Sequence, residues 1–218
     1  MKAHQAIPIA LTVVLLPSCG ALKPKEDPTQ HFVLRPTAAP GGSTTSHSNL
    51  TISVGPTLVP AYLDRVQMVS AGASSNQLKV DEYEIWAEPL DRAISRVLAD
   101  NLSRRMKAPR VVPYPDLDLT KYDYRVAIWV KRFERDTSGE IVLDCAWGIG
   151  GMPGSDLPMV NKTSRITVPG PADPADSSGL AAAMSEALAK LSEDVRRQLL
   201  KMPLPKSEED GEEEDGGT

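Results

Sequence analysis

Histidine, cysteine and aromatic residues are scarce in this chain, and each scarcity removes a class of chemistry. Three histidines and two cysteines occur among 218 residues. No cluster of His, Cys, Asp or Glu has metal-ligand spacing, so no metal is expected. There is no G-x-S-x-G elbow, and His47 sits in a Gly/Ser/Thr-rich stretch, so a hydrolytic triad is not expected either. Gly148-Ile-Gly-Gly151 has the glycines of a phosphate loop. Its continuation, Met152-Pro-Gly-Ser-Asp-Leu-Pro158, cannot open a helix and no Lys-Ser/Thr follows. The reading is of a chain with no catalytic residues and no cofactor. Aromatics make up 5% of residues and no basic face is interleaved with them, which argues against nucleic acid as a partner. No apolar run is long enough to span a bilayer, which takes about 20 residues.

A shorter apolar run is present. Lys2 supplies a positive start, and Ile7 to Leu16 has the length of a signal-peptide core. Leu16-Pro-Ser-Cys19 follows directly and resembles a bacterial lipobox. The resemblance implies cleavage before Cys19, lipidation of Cys19, and a signal peptide over residues 1–18. Gly20 lacks the Asp that retains enterobacterial lipoproteins in the inner membrane, so the expected destination is the outer membrane. Residues 19–30 are polar, carry two prolines after Gly20, and read as a lipidated tether.

The net charge of −5 belongs to the C-terminus. Residues 207–218 hold seven of the 29 acids and no Lys or Arg, leaving 22 acids against 23 bases between Cys19 and Lys206. The acidic stretch, taken as 204–218, reads as a disordered tail. With Cys19 lipidated, Cys145 has no disulfide partner. It shares a strand face with Ile141, Leu143, Trp147 and Ile149 and is expected to be a core residue.

Between tether and tail, residues 31–203 form one domain. Strands are expected at His31–Arg35, at Leu50–Val54 ending at Gly55-Pro56, and after Arg65 into a hairpin turning at 72–76. Another short strand is expected at Arg110–Pro113. The clearest alternation covers Tyr122–Lys131 and Ile141–Ile149, a long hairpin, with a third strand at Asn161–Val168. Residues 36–48 read as a loop. Leu90, Ile94, Val97, Leu98, Asn101 and Leu102 predict a helix from Pro89, at its first position, to about Met106. Leu180, Met184, Ala187, Leu188, Leu191, Val195 and Leu199 predict a second from Ser177 to about Met202, capped by Asp176 or Ser177. The fold class is α+β, a mostly antiparallel sheet with two long amphipathic helices packed on one face.

Trp86 and Trp147 are expected in the core. Trp129 falls on the more polar face of its strand, where either a helix covers it or it is an exposed contact. Arg104, Arg105, Lys107 and Arg110 close the first helix, either solvated or touching a headgroup or partner. Pro60–Arg65 reads as one turn of helix between strands. Tyr62 and Arg65 within it are candidate partner contacts, by their residue types.

The order of lipobox, FVLR at 32–35, ISVGPTLVPAYLDRVQMV at 52–69 and EIWAEPLDRAISRVLADNL at 84–102 resembles the PqiC (YmbA) family of ABC-type transport auxiliary lipoproteins. WVKRFERDTSGEIVLDCAW at 129–147 fits that family's later strands. The resemblance covers about residues 31–202 and excludes the acidic tail. It implies an α+β fold, no catalytic residue, no cofactor and ring-shaped homo-oligomers. It also implies partners: a periplasmic MCE-domain protein (PqiB-like) that forms a lipid tunnel and, indirectly, an inner-membrane PqiA-like protein. The alternative is a lipoprotein that assembles or stabilises another envelope complex without contacting transported lipid.

Overall fold

The computed structural model describes residues 26–40, 50–106, 110–115 and 121–205. The signal peptide, Cys19, most of the tether, most of the loop at 36–48 and the tail from residue 206 lie outside the described residues. Along the chain the elements are β1 (Gln30–Phe32), β2 (Thr51–Leu58), β3 (Gln67–Ala71), β4 (Leu78–Trp86), α1 (Leu90–Met106), β5 (Arg110–Pro113), β6 (Tyr124–Arg135), β7 (Glu140–Gly150), β8 (Val160–Pro169) and α2 (Ser177–Leu199).

Alternation along β6 sets the architecture. Tyr124, Val126, Ile128 and Val130 are at most 2% exposed, while Ala127 and Trp129 between them and Lys131 after them are exposed. One face of the sheet therefore carries the core. Helices α1 and α2 cover that face side by side, α1 over β2 and β5 and α2 over β7 and β8. Every apolar residue of the two expected helical stripes is buried. Each such large side chain contributes roughly 1.5–3 kcal/mol relative to exposure.

The helix ends follow local chemistry. Asp176 caps α2, its carboxylate accepting the Gly179 N–H at 2.8 Å. Pro89 stands one place outside α1, not at its first position. Its carbonyl accepts the N–H groups of Arg92 and Ala93, each at 3.0 Å. Helix α2 stops at Leu199 rather than Met202. Residues 34–38 run between the helices. Ser185 of α2 accepts the Arg35 N–H at 3.0 Å, and Asn101 of α1 accepts that of Ala38 at 3.0 Å.

The eight-stranded sheet is mixed, which corrects the expectation of a mostly antiparallel one. Pairs β1–β4, β2–β5, β2–β6 and β3–β6 run parallel, and β3–β4, β6–β7 and β7–β8 antiparallel. Alternation identifies the side chains that face the core but not the neighbouring strand. The segment through α1 returns the chain to lay β5 parallel beside β2, and β6 then enters alongside both β2 and β3.

Strand β2 also runs on past Gly55-Pro56, where it was expected to end. Gly55 has φ +121°, and a Cβ there would meet Tyr114 Cβ at 2.9 Å and Ser95 Oγ at 3.2 Å. Glycine absorbs the register break between Val54 and Thr57. Pairing then resumes and sets Leu58 beside Trp129.

Candidate docking surface

Helices cover one face of the sheet, and the other bears two exposed large apolar side chains side by side on β2 and β6. Trp129 is 61% exposed and Leu58 60%. Pairing across β6, β7 and β8 joins Trp129 to Ala146 and Thr163, and Ala127 to Gly148 and Asn161. Ala127, Ala146 and Gly148 keep the floor low between the Pro56–Leu58 wall and the Asn161–Lys162 wall. The result is an open apolar groove of about 350 Å³. Gly148 matters here, since a Cβ in its place would meet Asn161 Oδ1 at 2.6 Å. Trp129 thus takes the exposed one of its two expected placements.

At one end of this face stands Arg125, two residues before Ala127. It lines a hollow of about 200 Å³ that shares Ala127, Gly148 and Asn161 with the groove. Its guanidinium lies 4.3 Å from the ring centre of Tyr122 and 4.9 Å from that of Tyr114. Stacking of this kind holds an arginine in place without a salt bridge.

At the other end lies the Pro60–Arg65 turn, closed by Leu63 N–H to Pro60 C=O at 2.9 Å. A register break after Val130 puts Arg132 and Glu134 on the same side of β6 as Trp129. Tyr62 reaches this side, its hydroxyl donating to Glu134 at 2.7 Å, and Arg132 donates to the same carboxylate at 2.6 Å. Burial, then the hydrogen bond to Glu134, raises the Tyr62 hydroxyl well above its ordinary pKa. Leu63 is buried and Arg65 exposed. Tyr62 is therefore half-buried and anchored, while Arg65 is exposed.

Other singled-out residues serve the fold. Trp86 and Trp147 are each 6% exposed. Trp147 Nε1–H donates to Ser164 Oγ at 3.0 Å, and that hydroxyl lies 3.0 Å from the Asp194 carboxylate of α2. Of the basic cluster, Arg105 pairs with Glu193 of α2 at 2.9 Å and Arg104 donates to Pro36 C=O at 3.1 Å. Lys107, like Cys19 and His47, lies outside the described residues. Cys145 is fully buried, and burial pushes its thiol up to about 12. Among the described residues no group of three His, Cys, Asp or Glu is placed to hold a metal, and no helix is long and apolar enough to cross a membrane.

Sequence reasoning missed Leu58, because Gly55-Pro56 read as a strand end. It also missed Arg125, because the spacing of Tyr114, Tyr122 and Arg125 does not show that the chain folds both rings onto the guanidinium.

Residues 32–196 match the family model of the ABC-type transport auxiliary lipoprotein component, and the chain belongs to that family. It is accordingly an auxiliary lipoprotein of ABC-type transport, a membrane-anchored envelope protein, from a family not known for catalysis. No curated protein matches the chain. Among solved structures, protein XCC0632 from Xanthomonas campestris matches with TM-score 0.63 at 18% identity, over 79% of this chain and 95% of that one. An uncharacterized protein matches with TM-score 0.63 and 18% identity, over 78% of this chain and 98% of that one. At that identity the likeness is one of fold.

Proposed function

We propose that this chain is the non-enzymatic outer-membrane subunit of a PqiABC-like, MCE-type intermembrane lipid-transport system. Lipidated at Cys19, it docks or receives the periplasmic MCE-domain tunnel and so supports membrane integrity. The observation that carries the reading is the uncovered sheet face, where Trp129 and Leu58 lie exposed over a floor of small residues. Contiguous apolar patches rimmed by polar residues mark interaction sites when they are large, and here Pro56, Leu58 and Trp129 form one such continuous strip beside Asn161 and Lys162. The Pro60–Arg65 turn borders the same face, with Arg65 exposed and Tyr62 held in place. An anchored aromatic beside an exposed arginine supports its assignment as part of the contact.

Two variants test this. Cys19→Ser should lose palmitate incorporation and leave the membrane fraction, and unchanged labelling refutes the anchor. Tyr62→Ala combined with Arg65→Glu should weaken co-purification of the MCE protein at least about tenfold while the domain still folds. Wild-type recovery by the folded double variant removes this turn from the contact.

A further inference from the structure

Arg125 and Trp129 lie on the same face of β6, four residues and about 13 Å apart along the strand. Tyr122 and Tyr114 occupy positions against the guanidinium. The N–H donors of a guanidinium point outward in its plane, toward its edges. Among the described residues no carboxylate pairs with Arg125, and its Nε–H is buried without an acceptor. Among the described residues the arginine is thus positioned without a carboxylate partner beside the hollow that it lines, an arrangement that suits its terminal N–H groups to a carboxylate from outside.

The groove that continues from it has its own requirements. Its walls stand on β2 and β8, three strand spacings or roughly 14 Å apart, axis to axis. Side chains narrow that gap, so a helix of about 10–12 Å diameter overfills it and an extended chain fits. The groove is open along its length. A detached alkyl chain would keep one side in water, whereas a protein segment brings its own body over the exposed Trp129. Trp, Tyr and Arg are also the residue types that carry most binding energy at protein interfaces.

We propose that this strip binds an extended, acidic and apolar segment of the partner protein. One carboxylate of the segment pairs with Arg125, and a large aliphatic side chain about four residues away packs on Trp129 and Leu58. The inference rests on the docking reading above and adds the chemistry of the partner's segment.

The test uses the full-length chain in its own cell envelope, with a photo-crosslinking amino acid placed at Leu58, at Thr163 or at Arg65, and the crosslinked peptides identified by mass spectrometry. From positions 58 and 163 the crosslinks should fall on one segment of a transport-system protein that contains Asp or Glu. Arg125→Glu should lower their yield at least about tenfold, and changing the partner's carboxylate to Lys should restore it. Trp129→Ser, a change at an exposed position that leaves the core intact, should lower the yield similarly. Crosslinks only to lipid, to a second copy, to this chain's own acidic tail or to a segment without a carboxylate overturn the proposal. So does a yield indifferent to Trp129→Ser, or no rescue by the charge swap. If position 65 labels the transport protein and positions 58 and 163 do not, the docking reading stands and this inference fails. If none of the three labels it, the docking reading fails as well.

Discussion

Cys145 shows at the scale of one residue how burial decides chemistry. It lies on the helix-covered face of β7, opposite Val130 on one side and Ser164 on the other. Burial, more than the neighbouring Asp144, pushes its thiol up to about 12. The thiolate is the reactive form, so at pH 8 almost none is present, and the sulfur is reached only when the sheet opens. Labelling of the native protein by iodoacetamide should be at least ~1000-fold slower than in denaturant. Equal rates would place Cys145 on the wrong face. This assignment was legible in the sequence, because Ile141, Leu143, Cys145, Trp147 and Ile149 alternate without interruption. The exposure of Trp129 was not, since alternation separates two faces and does not say whether a second layer covers the polar one.

At the scale of elements, the β6–β7 hairpin depends on one carboxylate. Asp136 Oδ1 accepts the Ser138 N–H at 2.8 Å, the Ser138 hydroxyl at 2.6 Å and the Glu140 N–H at 3.1 Å. The Ser138 hydroxyl, then the backbone donors, hold this carboxyl below its ordinary value. A carboxyl depressed in the folded state stabilises above its unfolded pKa, near 4, and that contribution is lost as pH falls through the lower folded value. Because the turn is exposed and screened by water, Asp136→Ala should cost at most about 1 kcal/mol at pH 7 by denaturant titration. The gap to wild type should shrink below about pH 4; a constant gap down to pH 3 would contradict this. Helices and hairpin were legible because their periods of 3.6 and 2 run over many residues. Strand neighbours were not. The parallel pairings of β2 with β5 and β6 are made by residues dozens of positions apart, and nothing in the spacing of Ile52 or Val111 announces them. The continuation of β2 to Leu58 was hidden for a related reason. Gly55-Pro56 is a turn signal by composition, yet here the glycine absorbs a bulge inside a strand.

On the scale of the whole molecule, one layer of helices leaves a two-faced sheet half covered. The covered face holds the core. The other, which neither helix covers, lines up Arg125, the apolar groove and Trp129 along β6, and beyond them the Tyr62–Glu134–Arg132 cluster, where the Pro60–Arg65 turn buries Glu134, with Arg65 at the border. A membrane-anchored transport auxiliary has use for such a face, because its work is to meet another protein. In the sequence Tyr62 and Arg65 stood out by residue type alone, whereas the strip along β6 that runs from Arg125 to Trp129 exists only once β2, β6, β7 and β8 are assembled. The central claim is that the domain docks an MCE protein through this surface. Crosslinking the wild-type chain in its own envelope, followed by identification of what it holds, tests that claim most directly. The account predicts an MCE-domain protein as the main product, lost in the Trp129→Ser variant that still folds. An envelope in which the wild-type chain captures no MCE protein, or captures it equally well without Trp129, would contradict the account.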